Sequence, residues 1–129
     1  MREILFRGKR KDNSGEAFRR SDKEWVYGYI FQSWEQAYIL WGTINSIPTM
    51  IEVIPETVGE YTTKNDPNGK KIFEGDIVTE GGLVAEVRWD DRNARFYYVT
   101  STASVGLYGF VGQVIGDIHT TPELLKEKP

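Results

Sequence analysis

Short runs of alternating polar and apolar residues constrain this chain most strongly, because their two-residue period is that of β-strands. In residues 83–89 every second residue is apolar and would face one side of a strand: Leu83, Ala85, Val87 and Trp89. Turn-forming residues flank this run, with Gly81-Gly82 before it and residues 90–93 after it. The pattern therefore predicts a three-stranded meander, with strands over Asp76–Glu80, Leu83–Asp90 and Arg95–Thr100.

The amino-terminal half is rich in aromatic strand formers. Trp25–Phe31 and Ala37–Trp41 predict the two strands of a hairpin, because the polar segment 32–36 between them can turn. The pattern leaves open whether this hairpin contributes to a core or to an interface. The other predicted strands are Ile4–Phe6, which a polar loop from Gly8 to Ser21 follows, Met50–Ile54, which ends at Pro55, and Val114–His119.

Helical signals are confined to the carboxy-terminal segment. Thr121 can cap a helix, Pro122 suits the first helical position, and Glu123 complements the positive end of the helix dipole. Residues 122–128 are therefore predicted to form a short helix. Residues 55–71, in contrast, are rich in Pro, Thr, Gly, Asn and Asp, which predicts a connecting loop.

Neither cysteine chemistry nor a membrane span fits the sequence. The 129 residues include no Cys and one His, which excludes disulfides, thiolate nucleophiles and cysteine metal sites. No apolar run approaches the ~20 residues that cross a bilayer, and the charged start lacks the apolar region of a signal peptide. We therefore expect a cytoplasmic protein with no membrane partner.

Charge is distributed unevenly along the chain. Residues 1–23 hold eight basic and four acidic residues, a net charge of +4, whereas the whole chain carries −3, so the remainder carries −7. Such asymmetry can mark a nucleic-acid contact, a self-complementary surface between copies, or a solvated edge strand protected by charge. A nucleic-acid contact would involve the basic residues at the start of the chain: Arg2, Arg7, Lys9, Arg10 and Lys11.

The acidic residues do not form a recognisable catalytic or metal-binding motif. Asp117 and His119 would share one face of a strand, but zinc and iron sites need three or four ligands. Asp76 and the Asp90-Asp91 pair fit side-chain to backbone hydrogen bonds in turns. The sequence therefore predicts no catalytic residue, no metal site and no cofactor.

Segments from both ends and the middle carry a resemblance to a known family. They occur in the family's order: Met1–Arg7, Val26–Ile30, Ile54–Thr62, Asn68–Lys71, Ile72–Val78, Val114–His119 and Pro122–Leu125. In these segments the chain resembles the YopX proteins of bacteriophages and prophages. The resemblance implies a mostly β domain with an SH3-like roll in its second part. It also implies a phage or prophage origin, but no established activity, substrate or catalytic residue.

These features together predict an all-β fold with an SH3-like β-barrel or roll. Within one domain over residues 1–129 we expect an aromatic β region over 1–54, a connecting loop over 55–71, an SH3-like barrel over 72–121 and a short helix over 122–128. We expect a non-enzymatic phage or prophage accessory protein, located in the cytoplasm of the bacterial host. It would act as a protein-interaction module that self-associates into a homo-oligomer or binds another phage or host protein. Nucleic-acid binding through the basic amino-terminal segment is the alternative function.

Overall fold

The computed structural model describes residues 2–11, 25–99 and 103–125, which fold as antiparallel β-structure. The described part contains no helix of seven or more residues. The chain divides into two compact units, Met1–Glu60 and Tyr61–Pro129. The eleven strands of the described part are β1 Phe6–Lys9, β2 Trp25–Ser33, β3 Gln36–Ile44, β4 Ile47–Val53, β5 Gly59–Asn65, β6 Lys71–Phe73, β7 Asp76–Glu80, β8 Leu83–Asp90, β9 Arg95–Val99, β10 Ser104–Gly106 and β11 Gln113–Asp117.

Strand β2 of the first unit changes its partner halfway along its length. Its first half pairs with β1 as far as Gly28, and its second half pairs with β3 from Tyr29 onwards. The change occurs where β2 comes very close to β3, since a Cβ atom at Gly28 would lie 2.2 Å from the carbonyl oxygen of Leu40. Only glycine permits this approach.

The β3–β4 hairpin ends in a two-residue turn. Asn45 and Ser46 both adopt positive φ, at 52° and 68°, as the turns that match the twist of a hairpin require. Away from this turn, the register of β3 against β4 shifts between Leu40 and Gly42, which leaves Trp41 as the extra residue of a bulge. Beyond the bulge, Val53 of β4 forms an isolated bridge with Arg10, the residue that follows β1, so the sheet curls back on itself. It does not form a closed barrel.

One face of this curled sheet forms the core of the first unit. Side chains alternate across a strand, so Val26 and Ile30 of β2 point to the same side. Gly8 of β1 lies under Val53, whose Cγ2 would be 2.9 Å from a Cβ atom at that position. The buried residues of this core are Val26, Ala37, Ile39 and Val53, with Phe6, Ile30, Ile51 and Val58 packed against them.

The second unit is built on an open sheet with the order β10-β9-β8-β7-β11. Its centre confirms the predicted meander β7–β8–β9, and Gly81 and Gly82 turn the chain between β7 and β8 with positive φ. In addition, the later part of β5 pairs with β6, with Tyr61 opposite Phe73. The core of this unit contains Ile72, Val78, Ala85, Val87, Tyr98, Leu107 and Phe110.

The aromatic hairpin is confirmed, whereas the first strand differs from the prediction. The strand predicted at Ile4–Phe6 instead begins at Phe6 and ends at Lys9, so Gly8 lies in a strand and not in a loop. Of the three interpretations of the basic amino-terminal segment, the solvated edge strand is wrong for β1, because β1 pairs with β2 on one side and with the start of β5 on the other. The rest of the predicted loop, from residue 12 to Ser21, lies outside the described residues.

Three further predictions differ from the structure in the second half of the chain. The SH3-like barrel over 72–121 is not confirmed, because the five-stranded sheet in the described part is open at β10 and β11. The predicted helix is a 3₁₀ turn over Pro122–Leu125, where the N–H of Leu124 bonds to the carbonyl of Thr121, three residues earlier. Residues 126–128 of that prediction lie outside the described part, and the predicted loop over 55–71 contains strand β5.

Candidate interaction surface

The outward face of the first unit's sheet carries a cluster of large apolar side chains. In β2, the residues that alternate with the core residues point outward. The strand register places Tyr38 opposite Phe31, Leu40 opposite Tyr29, and Met50 opposite Leu40. We call this cluster the aromatic face, and it consists of Tyr27, Tyr29, Phe31, Tyr38, Leu40, Trp41 and Met50.

Most of the aromatic face is accessible to solvent. Tyr29 is 61% exposed and Phe31 is 51% exposed, and Tyr27, Trp41 and Met50 are each close to half exposed. The ring of Phe31 lies against that of Tyr38, with 6.2 Å between the centroids. Isolated exposed apolar residues are common on proteins, whereas a contiguous patch of this kind is typical of a binding surface.

A groove of about 670 Å³ is lined in part by the aromatic face. Residues 2–5, which belong to no strand, contribute to its lining. Tyr27, Tyr29, Trp41 and Pro48 also line it. The groove therefore offers aromatic rings together with the hydroxyl and indole groups that can bond to a partner's backbone.

The hairpins beside the aromatic face are also apolar at their tips. Ile44 and Ile47 are more than half exposed at the end of the β3–β4 hairpin, and Trp34 is fully exposed in the β2–β3 turn. The sequence has no Lys or Arg between Glu24 and Thr63. The lysines that commonly protect exposed strands from association are thus missing along these hairpins.

The basic residues predicted to contact nucleic acid differ in their exposure and in their contacts. Arg7 is only 6% exposed, and its guanidinium lies 4.2 Å from the centroid of the Trp25 ring, over which Lys9 also lies at 5.4 Å. Lys11 forms an ion pair of 3.4 Å with Glu52. Arg2, in contrast, is exposed and lines the groove, and Arg10 makes a backbone bridge to Val53.

The remaining acidic residues that the sequence singled out have structural contacts. The Asp76 carboxylate accepts the backbone N–H of Phe73 at 2.7 Å, and Asp90 accepts the N–H of Arg92 at 3.0 Å. Both contacts confirm the predicted side-chain to backbone bonds. Asp117 likewise accepts the N–H groups of His119 and Thr120 at the end of β11. Within the described residues, no group of three or more His, Asp or Glu side chains could hold a metal ion.

One polar pair in the second unit was not foreseen from the sequence. The hydroxyl of Tyr98 donates a hydrogen bond of 2.7 Å to the Oε1 atom of Glu80. Burial and this bond to the Glu80 carboxylate raise the pKa of Tyr98 to about 12, so its phenol stays protonated at more alkaline pH than an ordinary tyrosine. The two residues are separated by strand β8, and no local sequence pattern indicates their contact.

None of the helices in the described part is long and apolar enough to cross a membrane.

The chain matches one known family over most of its length. A comparison with the curated proteins finds no match. The model of the family described as YopX protein matches residues 16–126, which include the aromatic hairpin, the Glu74-Gly75-Asp76 turn and the last strand. On this match the chain belongs to the YopX family.

Proposed function

We propose that this protein is a non-enzymatic accessory protein that binds a second copy of itself through the aromatic face. The resemblance to phage and prophage proteins supports a role inside an infected or lysogenic bacterium, and the lack of cysteine is compatible with a reducing cytoplasm. The main support is the exposure of Tyr29 and Phe31 beside Tyr27, Trp41 and Met50. Tyr, Trp, Phe and Met are the residues enriched at the centres of protein interfaces.

The size of the exposed surface agrees with a stable homodimer. A large aromatic side chain presents about 150–250 Å². The half-exposed side chains of the aromatic face and of the hairpin tip therefore offer on the order of 700 Å². A standard interface buries about 800 Å² on each partner. The side chains that contribute most are Tyr27, Tyr29, Phe31, Trp41, Ile44, Ile47 and Met50.

The charge of this surface also favours a second copy as the partner. Glu52 lies beside the aromatic face, opposite Tyr38, and it is paired with Lys11. Two copies can thus approach face to face without strong repulsion between like charges. Such an arrangement is isologous, because the same residues contribute from both copies, and it closes as a dimer.

The experiment compares the mass of the protein in solution over a wide range of concentration. We expect the wild type to sediment as a dimer and the double variant with Tyr29→Ser and Phe31→Ser to sediment as a monomer. Tyr108→Ser serves as the control, since Tyr108 is also strongly exposed but lies in the second unit. A wild type that remains monomeric at every concentration, or a double variant that dimerises like the wild type, would contradict the proposal.

Nucleic-acid binding through the basic amino-terminal segment remains the alternative, supported by the position of Lys9 over the ring of Trp25. Two observations favour the protein partner. Arg7 is buried, and the first 60 residues contain eight basic and nine acidic residues, which gives no net positive charge to attract phosphates. Tight binding of a single-stranded oligonucleotide that weakens steeply with salt, and that is lost in Lys9→Gln, would favour the alternative.

For the second unit we propose a fold related to SH3-like rolls. The support is the antiparallel meander β7–β8–β9 together with the pairing of β11 to β7. Amide exchange offers a test, because the pairing of β7 with both β8 and β11 would protect the backbone N–H groups that take part in it. Rapid exchange of all these N–H groups would contradict a roll in which β11 packs alongside the meander.

A further inference from the structure

The second unit contains an apolar pocket of about 320 Å³ beside the β7–β8 hairpin. Val78, Ala85 and Phe110, which are almost completely buried, line it together with the more exposed Leu83 and Val105. The ring of Phe110 packs edge-on against Tyr98, with 5.3 Å between the centroids. The walls are thus held in place by the core of the unit, and the volume lies within the range of small-ligand pockets.

The backbone at Gly112, two residues after Phe110, packs tightly against strand β7. A Cβ atom at Gly112 would lie 2.0 Å from the carbonyl oxygen of Thr79, so the backbone here approaches as closely as glycine allows. The ring of Phe110 lies against the same position, since its Cζ atom would be 2.8 Å from that Cβ atom. The Phe110 ring is thus packed close to the backbone beside β7.

The polar groups of the pocket are Glu80 and Tyr98. The Tyr98 hydroxyl donates to Oε1 of Glu80, which orients the carboxylate. Among the described residues, Glu80 forms no ion pair. The pocket thus combines apolar walls with one oriented acceptor group that lacks a cationic partner within the described part of the chain.

We propose that this pocket binds a primary ammonium group attached to an apolar body, with the ammonium donating to Glu80 and the apolar body contacting the accessible lining residues Leu83 and Val105. An ammonium supplies the positive charge and the hydrogen-bond donors that a carboxylate prefers. An anionic ligand would be repelled by the same carboxylate. The chemistry is shared by two sources, a free small amine and the lysine side chain of a partner protein, whose long apolar stem can lie along apolar walls.

The test follows the amide resonances of the full chain during titration with three probes. These are 2-phenylethylamine, its neutral analogue 2-phenylethanol, and lysine with its backbone groups blocked by acetyl and methylamide. We expect 2-phenylethylamine to shift the resonances of pocket residues and to bind about tenfold or more tightly than the alcohol. Comparable binding of the blocked lysine would identify a protein side chain as the source, whereas binding of the small amine alone would identify a free amine.

Two variants and a control separate the pocket from general charge effects. Glu80→Gln keeps an acceptor for Tyr98 but removes the charge, so we expect the amine affinity to fall about tenfold. Ala85→Val narrows the pocket and should weaken both the amine and the alcohol. Asp91→Asn removes the same charge from an exposed turn of the same unit and should leave binding unchanged. Equal binding of amine and alcohol, unchanged affinity in Glu80→Gln, or no shifts at pocket residues would overturn the proposal.

Discussion

The carboxylate of Asp66 accepts the backbone N–H of Val114 at 3.1 Å, although the two residues lie 48 positions apart. Its other oxygen accepts the N–H groups of Asn68 and Lys70, each at 2.9 Å. A single buried side chain thus closes the turn that follows β5 and holds the start of β11. Burial alone would raise the pKa of Asp66, but the three N–H bonds outweigh it, so the pKa lies below its ordinary value of 3.8.

We expect Asp66→Asn to destabilise the protein by about 1–3 kcal/mol, because an amide cannot satisfy all three buried N–H groups. Since the folded pKa is depressed, the charged carboxylate contributes stability above about pH 4, and this contribution is lost as the pH falls through the folded pKa. The acid loss of stability should therefore be steeper in the wild type than in Asp66→Asn. Urea unfolding at a series of pH values measures both effects.

Asp91→Asn is the matched control for this experiment, because Asp91 lies in an exposed turn of the same unit. Its stability and pH profile should follow those of the wild type. Identical acid profiles for the wild type and Asp66→Asn would show that the Asp66 bonds do not favour the charged carboxylate.

Tyr98 leads us to predict a loss of stability at alkaline pH. Its folded pKa of about 12 lies above the ordinary value of 10.0, so the neutral phenol contributes stability that is fully present below pH 10 and is lost as the pH rises towards 12. The difference between a pKa of 10.0 and one of about 12 corresponds to at most about 3 kcal/mol of folding stability. The stability difference between wild type and Tyr98→Phe should shrink over this range.

The titration itself can be observed by ultraviolet absorbance of the phenolate. One tyrosine should titrate near pH 12 in the folded wild type, and this step should be missing from Tyr98→Phe. If the two proteins have superimposable absorbance titrations, the hydrogen bond to Glu80 does not protect the phenol.

Gly75 occupies a turn that requires glycine. Its φ is +95°, its N–H bonds to the carbonyl of Val87, and its carbonyl accepts the N–H of Ile118, both at 2.9 Å. A β-branched residue is strained at this φ and would disturb both bonds, so Gly75→Val should cost more than about 1 kcal/mol. Thermal unfolding measures the effect, with Gly109→Val as the control because Gly109 has open space and no positive φ. An unchanged melting temperature for Gly75→Val would contradict this role.

Local patterns predicted the parts of the fold whose partners are close in sequence. The meander β7–β8–β9 and the aromatic hairpin follow from alternation between nearby turns, such as Gly81-Gly82. Strand β5 escaped prediction because its partners are β1 and β6, and β1 lies far away along the chain. The end of β1 was misplaced for a similar reason, since Gly8 is held in its strand by packing under Val53.

The sequence by itself determined that this chain is built of β-strands, where several of its turns lie, and that its strands have two chemically different faces. Only the tertiary structure decided which apolar side chains are covered. Tyr29 and Ile39 are both strong strand formers, yet Ile39 is fully buried whereas Tyr29 is 61% exposed. Alternation fixes the face on which a side chain lies, but burial depends on what packs against that face. The contact between Glu80 and Tyr98 likewise arises only when strand β8 brings β7 and β9 into one sheet.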